Sequence, residues 1–367
     1  MIRILHIMPG ADVGGISAVV LNYYQYMDRS RIHFTIAQTT EQFGIDGRKL
    51  KELGADFYTI PMKSQDYTGF KNALKKILST QQYDAIHVHE NETSYVALQL
   101  AKLMGVKKRF SHSHTSSPCG SIKDEIRRIS GCILNGHYAT HMLACGQLAG
   151  ERVFGRWNMK RKRVIVLPNA IDTEKYAYNE AVRQQVRSEL ALEGHYVIGM
   201  VGRLSEEKNC AYALHLIEKF HAIKPNVKLV VVGNGKLENH IRHKVKQNGL
   251  QEYVYLLGAR DDVHRLYQAM DVFIMPSLHE GFPVAAIEAM AAGLPVLLSS
   301  AITKELTFGN AVQYIALNSD REWISAMEQW AKDTERTIRG HEVRENGLDI
   351  RDTAKMLETL YLSEAER

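Results

Sequence analysis

Residues 275–295 read MPSLHEGFPVAAIEAMAAGLP, and this stretch decides the fold class and the chemistry expected of the chain. An apolar run ends at Met275-Pro276, a Gly/Pro-punctuated loop follows, and an alanine-rich helical pattern begins near Pro283. Strand, short loop and helix in that order form the repeating unit of a doubly wound α/β sheet. The start of the helix offers free backbone N–H groups and a partial positive charge, which attract phosphate. Glu280 in the loop and Glu288 in the helix set carboxylates beside that anion site. Carboxylates accept hydrogen bonds from hydroxyl groups, so a ligand with both phosphates and sugars satisfies the whole set. The expectation is a nucleotide-sugar site.

Outward from this unit, short apolar runs alternate with amphipathic stretches, the mark of parallel sheets. Strands are expected at 2–8, 34–38, 56–60, 85–89, 108–113, 141–144 and 164–167, with helical patterns such as 16–27, 70–79 and 93–103 between them. After residue 195 the series restarts, with strands at 197–201, 228–232, 254–257, 272–275 and 296–299. Helices there include 210–224, 237–247, 263–270 and 283–292. A sheet that begins anew, in a chain of 367 residues, implies two domains rather than one long sheet. They are placed at 1–170 and 171–350, with the hinge near 168–180. Residues 351–362 form a further amphipathic helix.

Composition narrows the class. With 45% hydrophobic and 24% charged residues the chain is globular and not disordered. A net charge of +5 suits anionic substrates or a membrane surface and falls far short of a nucleic-acid signature. Cys119, Cys132, Cys145 and Cys210 form no C-x-x-C pair and read as free thiols of a reducing compartment. The opening MIRILHIMPGADVGG is too short in apolar residues for a signal h-region, and no window approaches a membrane span. A cytoplasmic location is expected, with any membrane contact peripheral. Basic runs at 160–163, at 107–109 and at Lys71, Lys75 and Lys76 are solvated charge by default. The sharper reading is a patch for an anionic bilayer or a polyprenyl-diphosphate acceptor.

Other motifs fall at strand ends, where ligands of doubly wound sheets collect. Gly14-Gly15 opens the first helix and allows close backbone approach; the G-x-G-x-x-G dinucleotide fingerprint is absent, which counts against NAD. Arg203 and Lys208, in GRLSEEKN, share one strand-to-helix loop and can converge on a diphosphate. Gly233 ends the VVVG strand, and Gly258-Ala259-Arg260 ends the next; both suit a nucleotide lying on the backbone, or plain turn chemistry. His112 and His114, in RFSHSHTSS, share one strand face by alternation. Either could bond a sugar hydroxyl or act as an acid/base. A metal site is not expected, because no D-x-D pair or third ligand stands nearby. His87 and His89 are placed similarly.

Taken together, GRLSEEKN, VVVGNG, YLLGARDDV, DVFIMPSLHEGFPVAAIEAMAAGLPV, PNAID and Gly14-Gly15 resemble the retaining glycosyltransferases of family 4 along nearly the whole chain. The IMPGADVGGISAVVLNYY opening and HSHTSS resemble the bacterial members of exopolysaccharide and capsular polysaccharide synthesis. The resemblance implies a GT-B architecture, two Rossmann-like doubly wound domains facing across a cleft, with residues 351–367 packing back on the first. It implies that Arg203 and Lys208 bind the donor diphosphate and Glu288 the nucleotide ribose. Glu280 would bind the transferred sugar, with Gly281, Phe282 and Pro283 nearby; Gly233, Gly258 and Arg260 would flank the nucleotide. Gly14 and Gly15 would touch phosphate, and His114, with His112 competing, would lie near the reacting sugar. The segment SSAITKELTFGNA departs from the family's glycine-rich turn and Pro-Glu, so no donor contact is carried beyond Pro295.

The activity implied is retaining transfer of a hexosyl or N-acetylhexosaminyl unit from a UDP-sugar to a glycan or lipid-linked acceptor. No cofactor or metal is expected to be required. The alternative is a UDP-sugar epimerase or hydrolase of the same fold.

Overall fold

The computed structural model describes residues 1–10, 15–115, 121–306, 308–332, 336 and 340–364. The first series opens with β1 (Ile2–Met8), α1 (Gly15–Tyr26), β2 (Ile32–Gln38), α2 (Ile45–Glu52) and β3 (Asp56–Thr59). It continues with α3 (Tyr67–Thr80), β4 (Ala85–Val88), a 3-10 turn (Asn91–Thr93), α4 (Tyr95–Leu103) and β5 (Lys108–Ser113). Then come α5 (Ile122–Tyr138), β6 (His141–Ala144), α6 (Gln147–Lys160) and β7 (Val164–Val166). The seven strands pair in parallel in the order β3-β2-β1-β4-β5-β6-β7.

Helices cover both faces of this sheet, so its central strands are buried on both sides and carry apolar residues toward each. Along β1, Ile4 and Met8 join one core with Phe34 and α1, while Leu5 and Ile7 join another with residues of α3 and α4. His6 falls on the first of these faces, against Phe34.

The second series runs α7 (Thr173–Tyr176), α8 (Glu180–Glu189), β8 (Tyr196–Val201), α9 (Cys210–Ile223) and β9 (Val227–Val232). It proceeds through α10 (Glu238–Gln247), β10 (Val254–Leu256), α11 (Val263–Ala269), β11 (Val272–Met275), α12 (Val284–Ala291) and β12 (Val296–Ser299). It closes with β13 (Val312–Ile315), α13 (Asp320–Trp330) and α14 (Gly340–Glu345). Its strands are parallel in the order β10-β9-β8-β11-β12-β13.

The last helix, α15 (Ile350–Leu362), belongs to the first unit, which comprises Met1–Ala170 and Ile350–Arg367; the second is Ile171–Asp349. Ile350, Ala354, Leu357 and Tyr361 recur at helical spacing and bury themselves in the core of Ile4 and Phe34, beside α1. Lys108 is buried, and its ammonium donates to the carbonyls of Tyr361 (2.6 Å) and Ser363, capping the end of this helix.

Candidate functional site

In the second unit the strand order reverses between β8 and β11, so the loops after these strands diverge and leave a crevice at their carboxyl ends. Both loops carry charge. Lys208, after β8, donates to Glu280 Oε1, after β11, at 2.5 Å, and the Glu280 side chain is only 9% exposed. A main-chain bond from Leu278 N–H to Glu207 carbonyl (2.7 Å) holds the two loops in register. The Lys208 ammonium has three donors, and its bond to Glu280 uses one. Arg203, on the same loop, is exposed and makes no ion pair among the described residues, and the Glu207 carboxyl, lowered chiefly by its bond from Ser205, is lowered further by the Arg203 charge. Ahead of α12, the N–H groups of Gly281 and Phe282 likewise make no hydrogen bond among the described residues.

Glycines set how closely the loops pack. Gly233, at φ +131°, lies so near β8 that a Cβ there would stand 2.0 Å from the Gly202 carbonyl oxygen. Gly202 N–H donates to Val232 and Gly233 N–H to Gly258, so three strand ends are laced together. Arg260 beyond them makes a two-pronged pair with Asp262, at 2.7 Å each.

Glu288 sits on α12 in a different setting. Its Oε1 accepts from the Tyr176 hydroxyl (2.7 Å) and its Oε2 from the Tyr267 hydroxyl (2.9 Å). Burial raises its carboxyl above the usual range, and the two hydroxyls partly offset that shift. Each oxygen keeps a lone pair for another donor. Thus Lys208 and Glu280 meet directly, Arg203 shares the Lys208 loop, and Glu288 is held by tyrosines that sequence reasoning did not single out.

In the first unit the switch point lies between β1 and β4, and five histidines gather on that face. His6 Nδ1 meets His89 Nε2 at 3.0 Å, and His89 Nδ1 meets His114 Nε2 at 2.8 Å. A second ribbon runs from the Tyr361 hydroxyl to His87 Nδ1 at 2.5 Å, and from His87 Nε2 to His112 Nδ1 at 3.1 Å. The expectation that no third ligand stands near His112 and His114 is therefore corrected: His89 does, brought there by the β4–β5 pairing. In the His6–His89–His114 ribbon the ring centroids lie 5.3 and 5.1 Å apart, about as far as rings in such N···N contact can be. The nitrogens therefore face one another along a line, as in hydrogen bonds.

Burial lowers all five imidazoles, His6 and His114 to about 3, so the ribbons are neutral. The Tyr361 hydroxyl has no other acceptor among the described residues, so it donates to His87 Nδ1. His87 then carries its proton on Nε2 and donates to His112 Nδ1, which leaves an N–H on His112 Nε2. His112 Nε2 and His114 Nδ1 are both buried without a partner among the described residues. The His114 backbone N–H donates to Asn91 Oδ1 at 2.9 Å, and Asn91, at φ 51°, accepts in turn from Asn135 of α5. Gly15 begins α1, whereas Gly14 and Cys119 lie outside the described residues.

Comparison with known proteins agrees with this architecture. Residues 13–175 match the family described as Glycosyltransferase Family 4, and residues 182–347 the one described as Glycosyl transferases group 1. The chain belongs to the glycosyltransferases. It is 34% identical over 313 residues to EpsF of Bacillus subtilis (strain 168), assigned as a glycosyltransferase, covering 84% of this chain and 81% of that one. It is 28% identical over 307 residues to the UDP-Gal:alpha-D-GlcNAc-diphosphoundecaprenol alpha-1,3-galactosyltransferase of Escherichia coli, covering 79% and 78%. Among solved structures, HepE of Anabaena, in complex with UDP and glucose, superposes with a TM-score of 0.81 at 19% identity, covering 99% and 100%. The fold is GT-B.

Proposed function

We propose that this glycosyltransferase moves a hexosyl or N-acetylhexosaminyl unit from a UDP-sugar, with retention, to a glycan or polyprenyl-diphosphate-linked acceptor in surface polysaccharide synthesis. The observation that carries the reading is the meeting of Lys208 and Glu280 at the β8/β11 switch point, with Arg203 exposed on the Lys208 loop. A cation pair suits the donor diphosphate and a carboxylate the sugar hydroxyls, so one ligand engages both. Glu288 holds the ribose through its remaining lone pairs, and the backbone at Gly233 and Gly258, with Arg260, frames the nucleotide. Gly281, Phe282 and Pro283 supply the turn beside the sugar.

The first unit takes the acceptor, Gly14 and Gly15 are assigned to phosphate, and His114 lies near the reacting sugar with His112 as the competing imidazole. Arg203 and Lys208 meet the charge that develops on the departing diphosphate, and the reading calls for no resident metal. The Escherichia coli relative, named for a UDP-sugar donor and a lipid-diphosphate acceptor, supports both substrate classes. The UDP complex of HepE supports the nucleotide. Such an acceptor places the protein at a membrane surface, as a peripheral partner.

The test is a thermal-shift panel of UDP-, GDP- and ADP-sugars, since a ligand bound only by the native state raises the melting point. A UDP-sugar should give the largest rise, and Lys208→Ala should abolish transfer to a lipid-linked acceptor while the fold persists. Near-normal turnover in that variant would remove the donor-site assignment.

A further inference from the structure

We propose that Glu90 binds the glycosyl acceptor: one oxygen of its carboxylate takes an uncharged hydroxyl of the acceptor's terminal sugar, and Lys63 is the residue that positions it. The inference rests on the proposed placing of the acceptor on the first unit, and it names a group there outside both histidine ribbons. Glu90 follows His89 at the carboxyl end of β4, at the β1/β4 switch point. Lys63 comes from the loop after β3. Its ammonium meets Glu90 Oε2 at 2.7 Å, and the two side chains are only 15% and 13% exposed.

This is the second lysine–glutamate pair at a switch point, and its hydrogen bonds are distributed the other way. Lys208 spends one donor on Glu280 and keeps the others for an anion. Lys63 keeps none: its three donors go to Glu90 Oε2, to the Thr93 carbonyl (3.1 Å) and to the Thr93 hydroxyl (3.1 Å). An anionic group therefore finds no donor on Lys63 and a like charge on Glu90. The opening lies on the carboxylate instead. Glu90 Oε1 has no partner among the described residues, and solvent reaches it. A cation fits poorly there, because the Lys63 ammonium already neutralises the carboxylate from its other oxygen. A neutral donor fits, and a sugar hydroxyl is one.

The turn that carries Glu90 is held from several sides. Thr93 donates to the Glu90 carbonyl through its N–H (3.1 Å) and its hydroxyl (3.0 Å), which closes the 3-10 turn. Asn91 stands at φ 51°, a left-handed conformation that residues other than glycine seldom adopt. Its side chain accepts from the His114 N–H and its carbonyl from Asn135. From α5, a Cβ on Gly131 would stand 2.3 Å from the Glu92 carbonyl oxygen, so that helix backs directly on the turn. Below Lys63, the buried Phe70 ring lies 5.2 Å from the ammonium. Backbone strain persists where the surroundings over-determine it, and a side chain fixed before its ligand arrives lowers the cost of binding. Through Asn91 the same turn is tied to His114, so the carboxylate and the imidazole assigned to the reacting sugar sit on one rigid frame.

The experiment measures initial rates of transfer from the UDP-sugar that raises the melting point most. The probe acceptor is the lipid-linked glycan fraction extracted from the cells that make this protein, at varied concentration. Glu90→Gln keeps an oxygen for Lys63 and turns an amide nitrogen, a donor, toward the sugar. Its acceptor KM should rise about tenfold or more, as loss of a hydrogen bond to a charged group gives, with kcat within about twofold of wild type. UDP affinity by calorimetry should be unchanged, which also reports an intact second unit. Lys63→Met leaves the carboxylate without its post and should raise the acceptor KM as well. Adding Glu90→Gln to it removes the charge left behind. A pair that served only the fold would regain transfer in that double variant, because neutral replacement of both partners relieves what a broken pair costs. A carboxylate that binds the acceptor would not. An unchanged acceptor KM in Glu90→Gln, or recovery in the double variant, overturns the proposal and leaves the proposed function standing. Wild-type protein that transfers to nothing in the fraction overturns the proposed function, and the assignment of Glu90 falls with it.

Discussion

Glu280→Gln separates two roles that its carboxylate plays at once. In this structure it holds the Lys208 ammonium at 2.5 Å, and on the proposed reading the donor diphosphate binds the same ammonium. A phosphate oxygen on another of the lysine's donors would lie about 4 Å from the Glu280 carboxylate, two hydrogen-bond lengths around one nitrogen. Like charges at that separation repel by about 4 kcal/mol at the effective dielectric of a protein surface, before salt screening. Even a third of that remaining gives about 1.4 kcal/mol, or roughly tenfold. The amide keeps the shape and removes the charge, so UDP should bind Glu280→Gln about tenfold tighter, measured by calorimetry at fixed ionic strength.

Transfer should move the other way, because the carboxylate's bonds to sugar hydroxyls weaken; a fall of about 10²-fold in kcat is expected by analogy with loss of a positioned transition-state group. Lys208→Ala provides the opposite sign, with UDP affinity and transfer both falling. If UDP bound Glu280→Gln no better than wild type, the diphosphate would not share the Lys208 ammonium, and the donor site would have to be placed elsewhere.

Four further outcomes follow from the geometry. Gly233→Ala should cost about 2–5 kcal/mol, combining positive-φ strain with overlap on the Gly202 carbonyl, and weaken donor binding; a melting point within a degree of wild type would refute this. The histidine ribbons should make stability depend on pH. His6 and His114 titrate near 3 when folded and near 6.5 when unfolded, so the unfolded chain binds more protons below pH 6.5 and stability falls as pH drops toward 3. Each then costs about 1.4 kcal/mol at pH 5.5, and calorimetry showing a flat melting point from pH 7 to 5.5 would contradict their burial as neutral rings. Tyr361→Phe leaves His87 Nδ1 without its donor and should cost about 1–3 kcal/mol. Imidazole nitrogen NMR should then show His112 passing from one Nε2–H tautomer to a mixture, and identical spectra would refute the assignment. On the proposed function, His114→Ala should leave UDP binding unchanged and lower the transfer rate; unaltered kinetics would pass the role to His112 or to neither.

The two sheets were legible because their strands are buried on both faces. Runs such as LVVV in β9 and VFIM in β11 have no solvated side to break the apolar pattern. The edge strand β13, VQYI, is only partly buried and was not singled out. Lys208 and Glu280 were legible as candidates from their loops, since strand-end position requires only local sequence. Their mutual bond depends on β8 and β11 being neighbours, which spacing along the chain does not reveal. The same limit hid the histidines: residues 6, 87, 89, 112 and 114 become neighbours only once β1, β4 and β5 are adjacent. The tyrosines around Glu288 come from α7 and α11 and carry no motif.

The two units use the same location for opposite chemistry, and the difference follows from what surrounds each switch point. At β8/β11 the loops bring a cation and a carboxylate together near solvent, where charge is tolerable and an anionic ligand can compete for the lysine. At β1/β4 the groups lie under α15, where burial rules out charge and keeps the imidazoles neutral. Neutral imidazoles in a row keep one sense of donation, so the Tyr361 hydroxyl at the far end of the chain selects which nitrogen of His112 bears the proton. A neutral donor with fixed direction suits an uncharged hydroxyl, as a cation suits a diphosphate. On the proposed function that division matches the substrates, with the charged leaving group held by the second unit and a sugar or acceptor hydroxyl met by the first. The return of α15 to the first sheet then contributes more than packing, because it delivers the one hydroxyl that sets the sense of the His87–His112 ribbon.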